Sequence, residues 1–363
     1  CCLDELFPRI FPWNVGSAMV NFPTLAQPAH ALGIPVLSFG VIAVAAALTY
    51  AYDAWKAHGF QRAQRTLLLL VVIFGAWAAY GEWRLSHAPA GKKVRVGYVQ
   101  PNIPLTEKHA PQPPDAVYQR LLDETRELVA EQSCDIVIWP EGMFDLGLIE
   151  PKGGVLDLGV PVLIGGGAWT REGAQNGALA VTPTGGHYYA KRYLLAFGER
   201  FPFSDALGAI GIPLPGTLAA GTEVVTFDVA GVRCGVSICF EGILEETGSD
   251  LLAAGAQLHL NITEDLWYGN SSAPYQHLSL VALRALEAGI PVARVANGGV
   301  SAAIDRYGRI RDRTSLGERR AGVFEVRAAP PAGRAWTRWL GDLLPWLAPL
   351  LAVVAVMRRR LLS

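Results

Sequence analysis

The chain predicts an α/β fold flanked by membrane-spanning helices, and three observations predict it. Between residues 92 and 328, short β-branched runs alternate with helical segments. Toward both ends lie long stretches without charge, and charged residues are only 17% of the 363, below the roughly 25% usual in soluble proteins. Centrally, Val232–Ile238 reads as a buried strand ending at Cys239, after which Glu241, Leu244, Glu245 and Glu246 read as the acidic first turn of a helix.

In chain order, residues 1–30 read as irregular, with Pro8, Pro12, Pro23 and Pro28 breaking any helix. Phe11, Trp13 and Phe22 fit either a membrane interface or loop packing. No charge occurs from Ala31 to Tyr52, long enough for a bilayer core that needs about 20 residues. A link, Asp53 to Arg65, carries Lys56, Arg62 and Arg65. A second apolar run follows from Thr66, with Trp77, Tyr80 and Trp83 toward its end, so residues 1–91 form a membrane region with helices at about 31–52 and 66–83. Residues 329–363 repeat the theme. Trp336, Trp339 and Trp346 precede an apolar run ending at Met357, and Arg358, Arg359 and Arg360 follow, which predicts a span over about 339–357. The basic clusters then put the 53–65 link and the C-terminus in the cytoplasm and the central domain on the opposite face.

Within the domain at 92–328, strands are expected at 94–99, 135–139, 161–165, 177–182, 223–229, 232–238 and 258–262. Helices are expected at 115–131, 242–254 and 275–288. The first of these places Val117, Leu121, Leu122, Leu128 and Val129 on one face. Helices therefore cover both faces of a largely buried sheet system. The net charge of −1 gives no reason to expect a nucleic-acid partner, and five cysteines without regular spacing give no disulfide framework. Cys134 and Cys234 read as buried packing. His109, His259 and His277 lack metal-ligand spacing, so neither metal nor cofactor is expected. Gly165-Gly-Gly167 lacks the Lys-Ser/Thr of a phosphate loop and reads as a tight turn.

Three polar residues stand at strand ends. Asp135-Ile-Val-Ile-Trp-Pro-Glu141 delivers a carboxylate, Tyr188-Tyr-Ala-Lys191 a lysine, and Val236-Ser-Ile-Cys239 a thiol. A cysteine at a strand-to-helix turn meets converging backbone N–H groups that favour a thiolate, although a cysteine at a strand end is by itself more often core packing than catalysis. Glu, Lys and Cys in this order resemble the triad of the nitrilase superfamily. Further segments resemble the bacterial apolipoprotein N-acyltransferases, the membrane-bound branch of that superfamily: Val99-Gln-Pro-Asn-Ile-Pro104, Phe197-Gly-Glu199, Asn261-Ile-Thr-Glu-Asp-Leu-Trp267-Tyr-Gly269, Pro274-Tyr-Gln-His277, Arg284-Ala-Leu-Glu287 and Asn297-Gly-Gly299.

The resemblance implies a nitrilase-like α-β-β-α sandwich, with Cys239 as nucleophile, Glu141 as general base and Lys191 facing the oxyanion. Glu199 and Glu241 match supporting positions; Phe240, Trp267, Glu287 and Asn297 match scaffold or pocket wall. It further implies a monomeric inner-membrane enzyme that takes an acyl chain from a phospholipid donor onto Cys239 and passes it to the diacylglyceryl-cysteine of a lipoprotein acceptor. The family carries more membrane helices before this point, and the chain opens at Cys1 without Met, so a missing N-terminal portion is expected. Two residues depart from the family pattern: Phe240, where the family usually has Tyr, and His109, where it often has Trp; the stretch from Glu141 to Gly165 also looks short. Rival readings are a membrane-tethered amidase using the same three residues and a non-catalytic binding protein.

Overall fold

The computed structural model describes residues 10–87, 91–108, 116–146, 158–204, 208, 210 and 217–330. The chain separates into two compact units, with breaks after Pro89 and before Arg334. The expected C-terminal span, His109 and residues 147–157 of the stretch between Glu141 and Gly165 lie outside the described residues.

The described part of the first unit is a helical hairpin. α1 (Pro35–His58) and α2 (Phe60–Ser86) are separated only by Gly59 at φ +77°. The link expected over Asp53–Arg65 is thus helical almost throughout. Its Ala, Lys, Gln and Arg residues are good helix formers, and only glycine takes the left-handed turn without strain. Residues before α1 are not irregular either: a 3-10 turn spans Val15–Asn21, and short helices start at Pro23 and Pro28. Proline is tolerated at the first helical position, where its missing N–H has no partner to lose. Trp77 Nε1 donates to the Leu25 carbonyl at 2.7 Å, tying this segment to α2. Both long helices are apolar enough to cross a bilayer, and most of their surface is uncovered.

The second unit is a two-sheet sandwich. One sheet holds β1 (Lys93–Gln100), β2 (Ile136–Ile138), β3 (Phe144–Asp145), β4 (Val162–Thr170), β5 (Gly173–Thr182), β6 (Gly185–Ala190) and β13 (Arg320–Arg327), in the order β13-β1-β2-β4-β5-β6 with β3 beside β4. The other holds β7 (Thr226–Val229), β8 (Val232–Ile238), β9 (Leu258–Glu264), β10 (Val292–Asn297), β11 (Ala302–Ile304) and β12 (Ile310–Arg313), in the order β12-β11-β10-β9-β8-β7. Alternate residues of both sheets meet in one core: Val94, Val96, Ile136, Ile138 and Leu163 from the first, Val236, Ile238, Leu260, Ile262 and Val295 from the second. On the outer face of the first sheet, α3 (Ala116–Glu131) lays Leu121, Leu122 and Leu128 against Val99, Val137, Trp139 and Ile164. α4 (Glu245–Ala253) and α5 (Ala273–Ala288) belong to the second sheet's side.

Two expectations change. Gly165, Gly166 and Gly167 lie inside β4, not in a turn. A Cβ at Gly165 would stand 2.2 Å from the Pro140 carbonyl oxygen, so glycine lets β4 run close beneath the chain that delivers Glu141. Cys234 is buried in the core, whereas Cys134 is partly exposed.

Candidate active site

β2, β6 and β8 deliver the three sequence-picked groups to one place. Past β2, Trp139 is fully buried with Nε1 donating to Thr125 Oγ1 at 2.9 Å, which anchors the turn carrying Glu141. Glu141 Oε2 accepts the Glu264 N–H from the end of β9 at 2.8 Å, and Oε1 accepts from Asn176 Nδ2 at 2.7 Å. Lys191 follows β6 and is 1% exposed. Its ammonium lies 3.6 Å from Glu141 Oε1 and 2.8 Å from Glu199 Oε1. Asn176 also donates to Glu199 Oε1 at 2.9 Å, so one amide and one ammonium separate two carboxylates that would otherwise repel. Burial works against the Lys191 charge, but Glu141, Cys239 and Glu199 outweigh it and hold its pKa above the ordinary lysine value.

Cys239 leaves β8 at φ +51°, a left-handed conformation that costs a non-glycine residue energy. Glu241 braces it. One of its oxygens accepts the Ile238 N–H at 2.8 Å; the other accepts Arg192 N–H at 2.7 Å, Tyr193 N–H at 3.0 Å and the Tyr189 hydroxyl at 2.7 Å. One carboxylate therefore ties the residue before Cys239 to the two after Lys191. It is not an exposed acid at a helix start: Cys239–Ile243 is a 3-10 turn, Glu241 is fully buried, and that burial raises its pKa against the bonds that lower it.

The expected thiolate is corrected as well. Burial first, then the Glu141 charge, push the Cys239 thiol up to about 12, with Lys191 pulling the other way. The resting sulfur is a neutral thiol beside a carboxylate that can take its proton and an ammonium that can face a developing oxyanion. Such an arrangement suits acyl transfer through a thioester.

The remaining picks separate. Glu199 joins the cluster, with its second oxygen accepting the Leu195 N–H at 2.9 Å. Phe240 is half-buried in the turn after the thiol. Asn297 is buried at the end of β10, clasping both the N–H and the carbonyl of Ile103 and donating to Glu264 Oε2 at 2.8 Å. Glu287 pairs with Arg284 on α5 at 2.5 Å. Trp267 is 69% exposed, whereas its neighbour Tyr268 stacks edge-on to His277 at 6.0 Å. Burial and then Cys239 push the Tyr268 phenol up to about 12.

Sequence reasoning missed Asn176, Tyr189 and Thr263, and a buried ion cluster of Asp265, His277 and Arg294. Arg294 Nη2 reaches Asp265 Oδ2 at 2.7 Å, and His277 Nδ1 lies 3.1 Å from Asp265 Oδ1. Burial opposes the Asp265 charge, but Arg294 and His277 hold its pKa well below the usual carboxylate value. One signal was available: Arg294 interrupts Val292-Ala-Arg-Val-Ala, and a charge inside a buried strand requires a buried partner. A Cβ at Gly299 would stand 2.4 Å from Asp265 Oδ2, which accounts for the second glycine of Asn297-Gly-Gly299.

This sandwich, with its Glu, Lys and Cys at adjoining strand ends, is that of a carbon-nitrogen hydrolase, and the profile described as "Carbon-nitrogen hydrolase" matches residues 158–329. The fold is similar to that of an amidase from Nesterenkonia sp., with a TM-score of 0.50 at 17% identity over 71% of this chain and 98% of that one. Over longer spans the chain is 30% identical to the apolipoprotein N-acyltransferase of Geobacter metallireducens (93% of this chain, 67% of that protein). It is 31% identical to that of Brucella melitensis (96% and 70%). The chain belongs to the apolipoprotein N-acyltransferase family, an acyltransferase branch of the carbon-nitrogen hydrolases.

Proposed function

We propose that the protein moves a fatty acyl chain from a phospholipid, through a thioester on Cys239, to the α-amine of a lipoprotein's N-terminal diacylglyceryl-cysteine. Glu141 takes the Cys239 proton as sulfur attacks the ester carbonyl carbon. The S–C bond forms, the carbonyl oxygen becomes an oxyanion facing Lys191, and the C–O bond breaks. The departing lysophospholipid oxygen takes the proton from Glu141. In the second half the acceptor nitrogen attacks the thioester carbon, Glu141 accepts a proton from the amine, and the C–S bond breaks. The thiolate leaves and recovers the proton, giving amide and free thiol.

The observation that carries this reading is the gathering of buried Glu141 and Lys191 with a half-buried Cys239, in a member of this family with an apolar helical hairpin. A diacyl donor and a lipidated acceptor both reside in a bilayer, and the hairpin holds the chain there. The spans, including the C-terminal one expected over about 339–357, make it a multi-pass protein of the bacterial inner membrane. The basic link and C-terminal arginines lie in the cytoplasm, and the sandwich, about residues 92–328, on the outer face. It acts as a monomer.

The test is the intact mass of the detergent-purified protein after incubation with phosphatidylethanolamine, beside Cys239→Ala. The expected result is an added acyl mass, released by hydroxylamine and absent from the variant. A folded protein that leaves the phospholipid intact and gains no mass would overturn the lipid reading in favour of the amidase.

A further inference from the structure

Thr263 lies beside the nucleophile. β8 and β9 run parallel with Ile238 opposite Ile262, so Cys239 and Thr263 are the next residues on the two strands. Thr263 is fully buried and its hydroxyl donates to Asp265 Oδ1 at 3.2 Å. Asp265 is itself fixed by Arg294 and His277, and Arg294 Nη1 is fixed by Asn261 Oδ1 at 2.9 Å. Buried ion pairs are poor stabilisers compared with well-packed apolar side chains. This one holds a single hydroxyl in place next to a sulfur.

We propose that Thr263 is a positioning residue for acyl transfer, its hydroxyl turning from the Asp265 carboxylate to the Cys239 sulfur as the thiolate forms, while Arg294 and His277 keep Asp265 in place. The inference rests on Cys239 being the nucleophile. When Glu141 removes the sulfur's proton, sulfur gains a negative charge and a lone pair, and Thr263 has one proton to offer. Rotation of the hydroxyl supplies it. Asp265 keeps its bonds from Arg294 and His277, so no buried acceptor is stranded. The sulfur's proton goes to Glu141 and Thr263 keeps its own. Bonding from Thr263 is among the influences that favour the ionised sulfur, against burial and Glu141. His277 Nδ1 lies 3.1 Å from Asp265 Oδ1 and 3.2 Å from Arg294 Nη2, the ring hydrogen being assigned to Nδ1, and burial, then Arg294, lower the ring's pKa.

The test compares Thr263→Val, which keeps shape without the hydroxyl, with Thr263→Ser, which keeps the hydroxyl. Alkylation of Cys239 by iodoacetamide, followed by peptide mass, gives the thiol's pH profile without any lipid. Thioester formation from phosphatidylethanolamine gives kcat and KM separately. Thr263→Val is expected to slow both alkylation at pH 8 and thioester formation about 10-fold, the loss of one hydrogen bond to a charged group, with KM unchanged. Thr263→Ser is expected to stay within about twofold of the parent on the same scale. Should Thr263→Val fail to fold, Thr263→Ala removes the hydroxyl without adding a methyl. A parent-like alkylation profile in the variant lacking the hydroxyl, or Thr263→Ser as slow as Thr263→Val, would overturn the proposal. A parent that alkylates at Cys239 but takes no acyl group from phospholipid would refute the function proposed above and leave the Thr263 comparison decisive.

Discussion

The hairpin and the sandwich use the same aliphatic residues in opposite ways. In α2, Leu68 is 62% and Val71 68% exposed, whereas Leu260 and Ile262 of β9 are fully buried between two sheets. A soluble monomer rarely exposes a contiguous apolar surface of this kind. The sandwich makes its own apolar interior, while the hairpin leaves much of its aliphatic surface uncovered. That contrast extends to charge. Acidic residues are sparse along the hairpin, but the sandwich buries Glu141, Lys191, Glu241, Asp265 and Arg294, with Glu199 half-buried among them, and provides partners for each. Burial of charge on this scale is costly unless paired, and it is concentrated around one thiol.

The largest expected effect separates the chemistry of this cluster from its structural role. Glu141→Gln should cut thioester formation by about 10²- to 10⁴-fold, the usual worth of a general base. The same change should make Cys239 alkylate faster, because the Glu141 charge is one of the causes that raise the thiol's pKa. Removing a negative neighbour lowers that pKa, so more thiolate is present at pH 8. Thioester formation at the parent's rate in Glu141→Gln would mean that Glu141 is not the base.

Smaller effects sharpen the contrast between the two regions. Leu260→Ala, in the sandwich core, should cost about 2–5 kcal/mol in detergent unfolding. Val72→Ala on the open face of α2 should cost well under about 1 kcal/mol, and Val72→Asp about 3 kcal/mol of membrane insertion. The check is retention in alkaline-washed membranes. Val72→Asp retained like the parent would contradict a lipid-facing α2.

Much of the sandwich was legible because its strands are continuous β-branched runs and its Glu, Lys and Cys each close one. The hairpin's apolar runs were equally plain, but the polar link was read as a break although its residues favour helix and only Gly59 interrupts it. Glu241 was read from its neighbours in sequence, as an acid at a helix start. Its bonds to Arg192 and Tyr193 come from almost fifty residues away, and no local pattern carries them. Asn176, Thr263 and Asp265 were hidden for the same reason: one amide and one hydroxyl become parts of a site only when the strands that carry them are laid side by side. The glycines of β4 look like a turn until the Pro140 carbonyl is placed against them.

The most direct measurement follows a labelled acyl group through both half-reactions. Protein charged on Cys239 from labelled phosphatidylethanolamine would be freed of lipid and mixed with a synthetic diacylglyceryl-cysteine peptide. The account predicts that the label leaves the protein as the peptide's N-terminal amide, with little free fatty acid. Label released to water at the same rate with or without peptide would contradict it and make the protein a hydrolase.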